Sequence, residues 1–239
     1  MTGLSKAVVL AAAASSLLST GCDSRPANNS TVLNERVIDG QGARQVTAEI
    51  WVDNWFSLAV NGKPLLEDSV PFKTERSFNA ERVTFRADLP MTLAFAFRDF
   101  IENDTGLEYI GSGRQQIGDG GAIAQFTDAD TGAVLKGTDA TWRCLVVHRA
   151  PLRPACAANR NPKVGEGDCA AEIVQAPAGW QAPGFDDSEW PPATVHPRAD
   201  VSPKGGYDKI TWSERAKLIW SEDLKRDNTV LCRAVITAG

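Results

Sequence analysis

The sequence predicts an all-β sandwich, and three features lead there. From Gln45 onward, short runs of β-branched and aromatic residues alternate with turn signals, the pattern of a sandwich or barrel. Helical periodicity is scarce along the same stretch. Beyond residue 100 the chain carries four cysteines, an even number that suits a domain braced by disulfides.

About nine strands are expected. Residues 46–60 alternate apolar side chains (Ile50, Val52, Phe56, Leu58, Val60) and end at Asn61-Gly62, a dipeptide suited to the positive φ angles of a type I′ hairpin. The return strand begins at Lys63. Further strands are expected at 82–87, 91–97, 122–127, 133–136, 142–147, 216–220 and 229–236. Residues 127–132 read TDADTG and superficially match an EF-hand loop. Counted from Asp128, however, the glycine falls one place early, and the twelfth place holds Asp139 where a glutamate is needed. A polar hairpin turn is the better reading.

The chain of 239 residues suits one domain, and its 43% apolar content can form a core without metal. A formal charge of -5 disfavours nonspecific contact with nucleic acid; no nucleic-acid partner is expected.

Lys6 and the apolar stretch 7–18 have the proportions of an export signal, too short to span a bilayer. The stretch runs into Leu18-Ser19-Thr20-Gly21-Cys22, which resembles the lipobox of bacterial lipoproteins, with Ser19 where that pattern prefers leucine. The resemblance implies a signal peptide over 1–21, lipidation of Cys22, and a cell-envelope location facing the periplasm or exterior, with the membrane reached through the lipid. Residues 22–42, polar and containing Pro26, Asn28, Asn29 and Ser30, read as a flexible stalk. The domain then occupies 43–239.

Cys156 and Cys169 bracket a polar loop with little means of ordering itself by burial, so a local bridge is the simplest pairing. Cys144 and Cys232 lie in strand-like runs, and their bridge would tie two strands together. The spacing is wrong for zinc, with no CxxC pair and only His148 and His196 in the chain.

Three groups of residues are similar to motifs of galactose-binding-like jelly rolls, the accessory modules found beside glycoside hydrolases. They are Asp53-Asn54-Trp55 with Val60-Asn61-Gly62; residues 118–125 with Thr138-Asp139-Ala140-Thr141-Trp142; and Gly179-Trp180 with Phe185-Asp186-Asp187-Ser188-Glu189-Trp190, followed by 216–220. The resemblance implies a jelly-roll fold from about residue 43 to residue 236, and a module that binds a glycan, holds a structural calcium or packs against a neighbour. No other cofactor is implied.

Asp186, Asp187 and Ser188 are expected to accept hydrogen bonds from turn amides while Phe185 and Trp190 anchor the turn to the core. Trp55, Trp142, Trp180, Trp212 and Trp220 offer faces for sugar stacking, although core packing is the commoner use of such rings. Asp99, Glu102, Asn103 and Asp104 precede a glycine-rich stretch and, with Trp55, form the candidate ligand-binding set; carboxylates and amides there suit calcium or sugar hydroxyls.

The leading expectation is a noncatalytic, glycan-binding recognition domain. The alternative is an interaction or scaffold lipoprotein bound to an envelope protein through one sandwich face. A glycosidase would need two carboxylates, for which Glu102 with Glu108 or Asp119 can be nominated without support from spacing. No pattern for nucleophilic or phosphate chemistry is present.

Overall fold

The computed structural model describes residues 33–74 and 79–238. Cys22, the signal and the start of the stalk lie outside the described residues. In chain order the strands are β1 (Leu33–Val37), β2 (Arg44–Asp53), β3 (Trp55–Val60), β4 (Lys63–Glu67), β5 (Ala80–Ala87), β6 (Met91–Arg98), β7 (Leu107–Glu108), β8 (Gln116–Ile117), β9 (Gly121–Asp128), β10 (Val134–Gly137), β11 (Arg143–Arg149), β12 (Glu172–Ile173), β13 (Thr194–Val195), β14 (Ile219–Trp220) and β15 (Asp227–Ile236). One sheet runs β1-β5-β2-β9-β14-β13, with β10 also on β9, and the other runs β12-β11-β15-β6-β3-β4. The small β7-β8 ribbon stands apart. The protein is an all-β sandwich, as the strand pattern predicts.

Alternation explains the packing. In the neighbouring strands β2 and β9, Val46, Ala48, Ile50 and Val52 lie beside Ala122, Ala124 and Phe126 on the core side of one sheet, and they share the core with Phe56, Leu58, Phe95, Phe97, Val230 and Cys232 of the opposite sheet. Successive side chains point to opposite faces, so Trp51 and Ile123 face outward. They are buried there beneath Val201, Ala216 and Leu218. On the other sheet, Ala96 and Leu231 face outward and are covered by Trp190, with Trp180 and Phe185 alongside. Both sheets are therefore apolar on two faces, each outer face roofed in part by a long connection.

The run 46–60, which reads as one alternating pattern, is divided between the two sheets. β2 pairs with β5 and β9, whereas β3 pairs with β4 and β6. The side-chain parity survives the crossing, which is why the pattern looks unbroken. At the Asn61-Gly62 hairpin both residues have positive φ, 50° and 78°, as the turn chemistry requires. Residues 33–37, expected inside the flexible stalk, instead form β1, parallel to β5. Its charged side chains bind the sheet edge, with Arg36 on Glu81 at 2.8 Å and Glu35 on Arg82. The expected strand 216–220 narrows to β14.

Cys144 and Cys232 are cross-strand partners in β11 and β15 and are bonded to each other; Cys156 is bonded to Cys169. Two disulfides fit folding in an oxidising, non-cytoplasmic compartment. The TDADTG segment is a hairpin turn, in which Asp128 Oδ1 accepts from the amides of Asp130 and Thr131 at 3.1 and 2.9 Å.

The turn at 185–190 is held from below by Arg233. This side chain is 2% exposed and donates to Asp187 Oδ2 at 2.7 Å and to the carbonyls of Trp180, Ala182 and Phe185. A buried guanidinium bonded on several sides cannot be replaced by a smaller group without leaving Asp187 and the carbonyls unpaired. Arg233→Ala is expected to lower unfolding free energy by about 3 kcal/mol in urea titrations. Arg233→Lys should recover only part, since one ammonium lacks the planar fork.

Candidate functional site

Asp53, Asp99 and Asp119 come together at one end of the sandwich, each offering a carboxylate oxygen within 4.8 Å of the others. Three separate elements deliver them. Asp53 ends β2 opposite Gly121, Asp99 follows β6, and Asp119 sits in the glycine run before β9.

Asn54 ties the first two together. Its amide donates to the Arg98 carbonyl at 3.0 Å, and its Oδ1 accepts from the Phe100 amide at 2.6 Å. The Asp99 amide donates to the Asn228 carbonyl at 2.9 Å, which fixes the residue to the end of β15. The backbone on both sides of each buried aspartate is thus held by neighbouring strands.

The glycine run explains how Asp119 is brought in. A Cβ on Gly118 would stand 1.9 Å from Asp99 Oδ2, one on Gly120 2.3 Å from the Trp220 ring, and one on Gly121 2.4 Å from Val201. The chain can lie this close only without side chains. The Gly120 amide donates to the Leu224 carbonyl at 2.6 Å, which fixes the segment in place.

Electrostatically the site is out of balance. Asp53 and Asp99 are each 1% exposed, and Asp53 Oδ1 and both oxygens of Asp99 are buried without a hydrogen-bond partner. Burial pushes both carboxyls well above the ordinary range. Asp119 and Glu108 add to the rise at Asp53, which Lys204 opposes, while Glu108, Asp53 and Asp119 add to it at Asp99. The Phe100 amide offsets part of the rise at Asp99, although its hydrogen bond is made to Asn54. Glu108 is itself buried and accepts from Gln116 Nε2 at 2.6 Å. Asp119 is partly exposed, and the Lys204 ammonium lies 3.9 Å from its Oδ2. A second acidic group behaves differently. Asp68 Oδ1 accepts from the Val70 amide and from Asn79 Nδ2, at 2.9 and 3.1 Å, and nearby Glu81 pairs with Arg36. That group is largely closed within the protein.

Of the candidate ligand-binding residues, Asp99 alone belongs to the cluster. Glu102 is exposed and accepts from the Ile110 amide at 2.9 Å. Asn103 Oδ1 accepts from the Thr105 amide at 3.0 Å, and its Nδ2 donates to the Pro162 carbonyl at 3.4 Å. Asp104 is exposed, with its carbonyl 3.1 Å from His148 Nε2. These three shape the loop around the site. Trp55 is 8% exposed, with the Arg98 guanidinium 5.2 Å from its ring centre and Phe72 at 5.7 Å. The ring surface a sugar would need is taken. Trp142 and Trp220 are core residues whose Nε1 groups donate to the Gly137 and Asp227 carbonyls. Trp180 and Trp212 are half-buried.

Neither Asp53 nor Asp119 belongs to the candidate ligand-binding set, although Asp119 is one of the carboxylates nominated for a glycosidase. The one local signal for Asp53 is a carboxylate set between apolar neighbours, in Ile50-Trp51-Val52-Asp53-Asn54-Trp55-Phe56. For Asp119 it is the flanking glycines, which allow close approach to something.

Comparison with known proteins finds no family model that matches the chain, no similar curated protein and no similar solved structure. Fold and site define a disulfide-braced β-sandwich with a cluster of carboxyl groups at one end.

Two outcomes test this description. Gly118→Ala should cost about 1–3 kcal/mol, because its new Cβ overlaps the Asp99 carboxylate, and calorimetry should show a lower Tm. For Asp68, burial raises the pKa to about 7, so the unfolded chain releases this proton near pH 4 while the folded chain keeps it. Its stabilising effect is complete below pH 4 and is lost as pH rises through 7, roughly 4 kcal/mol at most. Urea titrations of Asp68→Asn should show a correspondingly flatter decline over that range.

Proposed function

We propose that this chain is a noncatalytic recognition domain of a bacterial cell envelope, anchored by a lipid on Cys22, which contacts a glycan at the carboxylate-lined end of its sandwich. One observation carries the reading: buried carboxyl oxygens of Asp53 and Asp99, without a hydrogen-bond partner among the described residues, meet the partly exposed Asp119. A buried polar group without a partner costs free energy, and a ligand rich in hydroxyl donors repays it.

The covering of both outer sheet faces by residues around Val201 and Trp190 favours contact through this end over a scaffold that binds through a sandwich face. Burial of most tryptophans favours recognition led by polar groups rather than by ring stacking. The jelly-roll resemblance supports the glycan class.

Glycan arrays probed with the purified protein should give retained binding to a defined set of sugars, and Asp119→Asn should reduce it. No retention on arrays spanning envelope and extracellular polysaccharides, with and without calcium, would overturn the reading. Labelling of cells with a palmitate analogue should mark the wild type and not Cys22→Ser.

A further inference from the structure

We infer that Asp53, Asp99 and Asp119 form a binding site for a single divalent cation, calcium in preference to magnesium, with coordination positions left open toward solvent. The acidic cluster alone would not require this. The independent observation is that Asp53 Oδ1 and both Asp99 oxygens, on side chains 1% exposed, find no hydrogen-bond donor. Hydrogen bonds from the surrounding chain would satisfy a structural carboxylate; here the neighbouring donors are committed elsewhere. The Phe100 amide serves Asn54, the Asp99 amide serves Asn228, and the Gly120 amide serves Leu224. What remains is a set of carboxyl oxygens without donors, gathered at one place.

Donor type and tolerance of geometry select the ion. All three groups are carboxylates, with no histidine or cysteine in the cluster, which suits a hard cation and not zinc or copper. Three atoms all within 4.8 Å of one another share a point no more than about 2.8 Å from each, so one ion can reach all three carboxylates. Calcium accepts flexible geometry at about 2.3–2.6 Å, whereas magnesium demands a near-octahedral shell at about 2.0–2.1 Å. Side chains delivered from three separate elements, with Gly118 resting on the Asp99 carboxylate and Asn54 pinning both strand ends, suit the more tolerant ion. Calcium takes 6–8 oxygens, more than three side chains supply. The partial exposure of Asp119 leaves a side through which water or an oxygen-bearing ligand completes the shell.

The site uses the carboxylates at which the glycan reading places its contact, but it is tested separately, because the ion is measured without sugar. Protein stripped with chelator and titrated with calcium chloride in a calorimeter should show one site per chain, with weaker binding of magnesium and a rise in Tm on adding calcium. Asp99→Asn and Asp53→Asn should each weaken calcium at least about 100-fold. The more exposed Asp119→Asn, which removes no buried contact, should weaken it about 10-fold while circular dichroism stays that of wild type. No heat and no Tm shift with calcium up to about 10 mM, beyond the weak extracellular range, would refute the site. So would calcium binding that Asp119→Asn and Asp99→Asn leave unchanged. Calcium binding with an empty glycan array would keep the site and remove only the glycan.

Discussion

A carboxylate buried in a protein end must be neutralised, hydrogen-bonded or paired, and Asp53 and Asp99 have no escape from that requirement. Each is fixed by backbone bonds that also close the sandwich: the Asn54 amide to Arg98, the Phe100 amide to Asn54 Oδ1, and the Asp99 amide to Asn228. Rotating either side chain into water would mean opening the junction where β2 passes its chain to β3. The unsatisfied carboxyl groups are therefore built into the fold, and much of this end of the molecule is arranged around them. Gly118, Gly120 and Gly121 admit a third carboxylate, Asp119, and Lys204 stands beside that one.

The remainder of the molecule is organised to hold that end rigid. Cys144–Cys232 joins two strands of one sheet, and Cys156–Cys169 closes the loop packed beside Leu107. The outer roof of each sheet does the same by apolar burial. Trp51 donates from Nε1 to the Lys204 carbonyl at 3.0 Å, so the roof over β2 also positions the segment that carries Lys204. Rigidity of this kind suits a contact surface, where a preformed arrangement loses little entropy on binding.

Much of the fold was legible in the chain. Alternation in 46–60 and 91–97, the Asn61-Gly62 turn, the cysteine pairs and the Phe185 to Trp190 turn all act over short range and leave local marks. The crossing of β2 into the second sheet left none, because Asp53 and Asn54 keep the parity of the run while changing its partners. Strands β7, β8, β12 and β13 are two residues each, too short for a period to show. β1 looked like linker because its pairing depends on charged side chains meeting an edge rather than on buried ones. The site was half legible: Asp99 stood out in a polar loop, but its companions lie 46 residues before it and 20 after. Only sheet pairing brings them together. The tryptophans misled for the opposite reason, since two-sided burial of both sheets consumes rings that a one-sided sandwich would have left for ligands.

On the cation assignment, the buried oxygens of Asp53 and Asp99 hold an ion that the chain does not itself supply. Diffraction from crystals grown in calcium, with anomalous data, shows whether they do. A single calcium peak is expected within about 2.3–2.6 Å of oxygens from Asp53, Asp99 and Asp119, with an outer position held by water or ligand. Carboxyls hydrogen-bonded to one another through shared protons, with no ion between them in the presence of calcium, would contradict it.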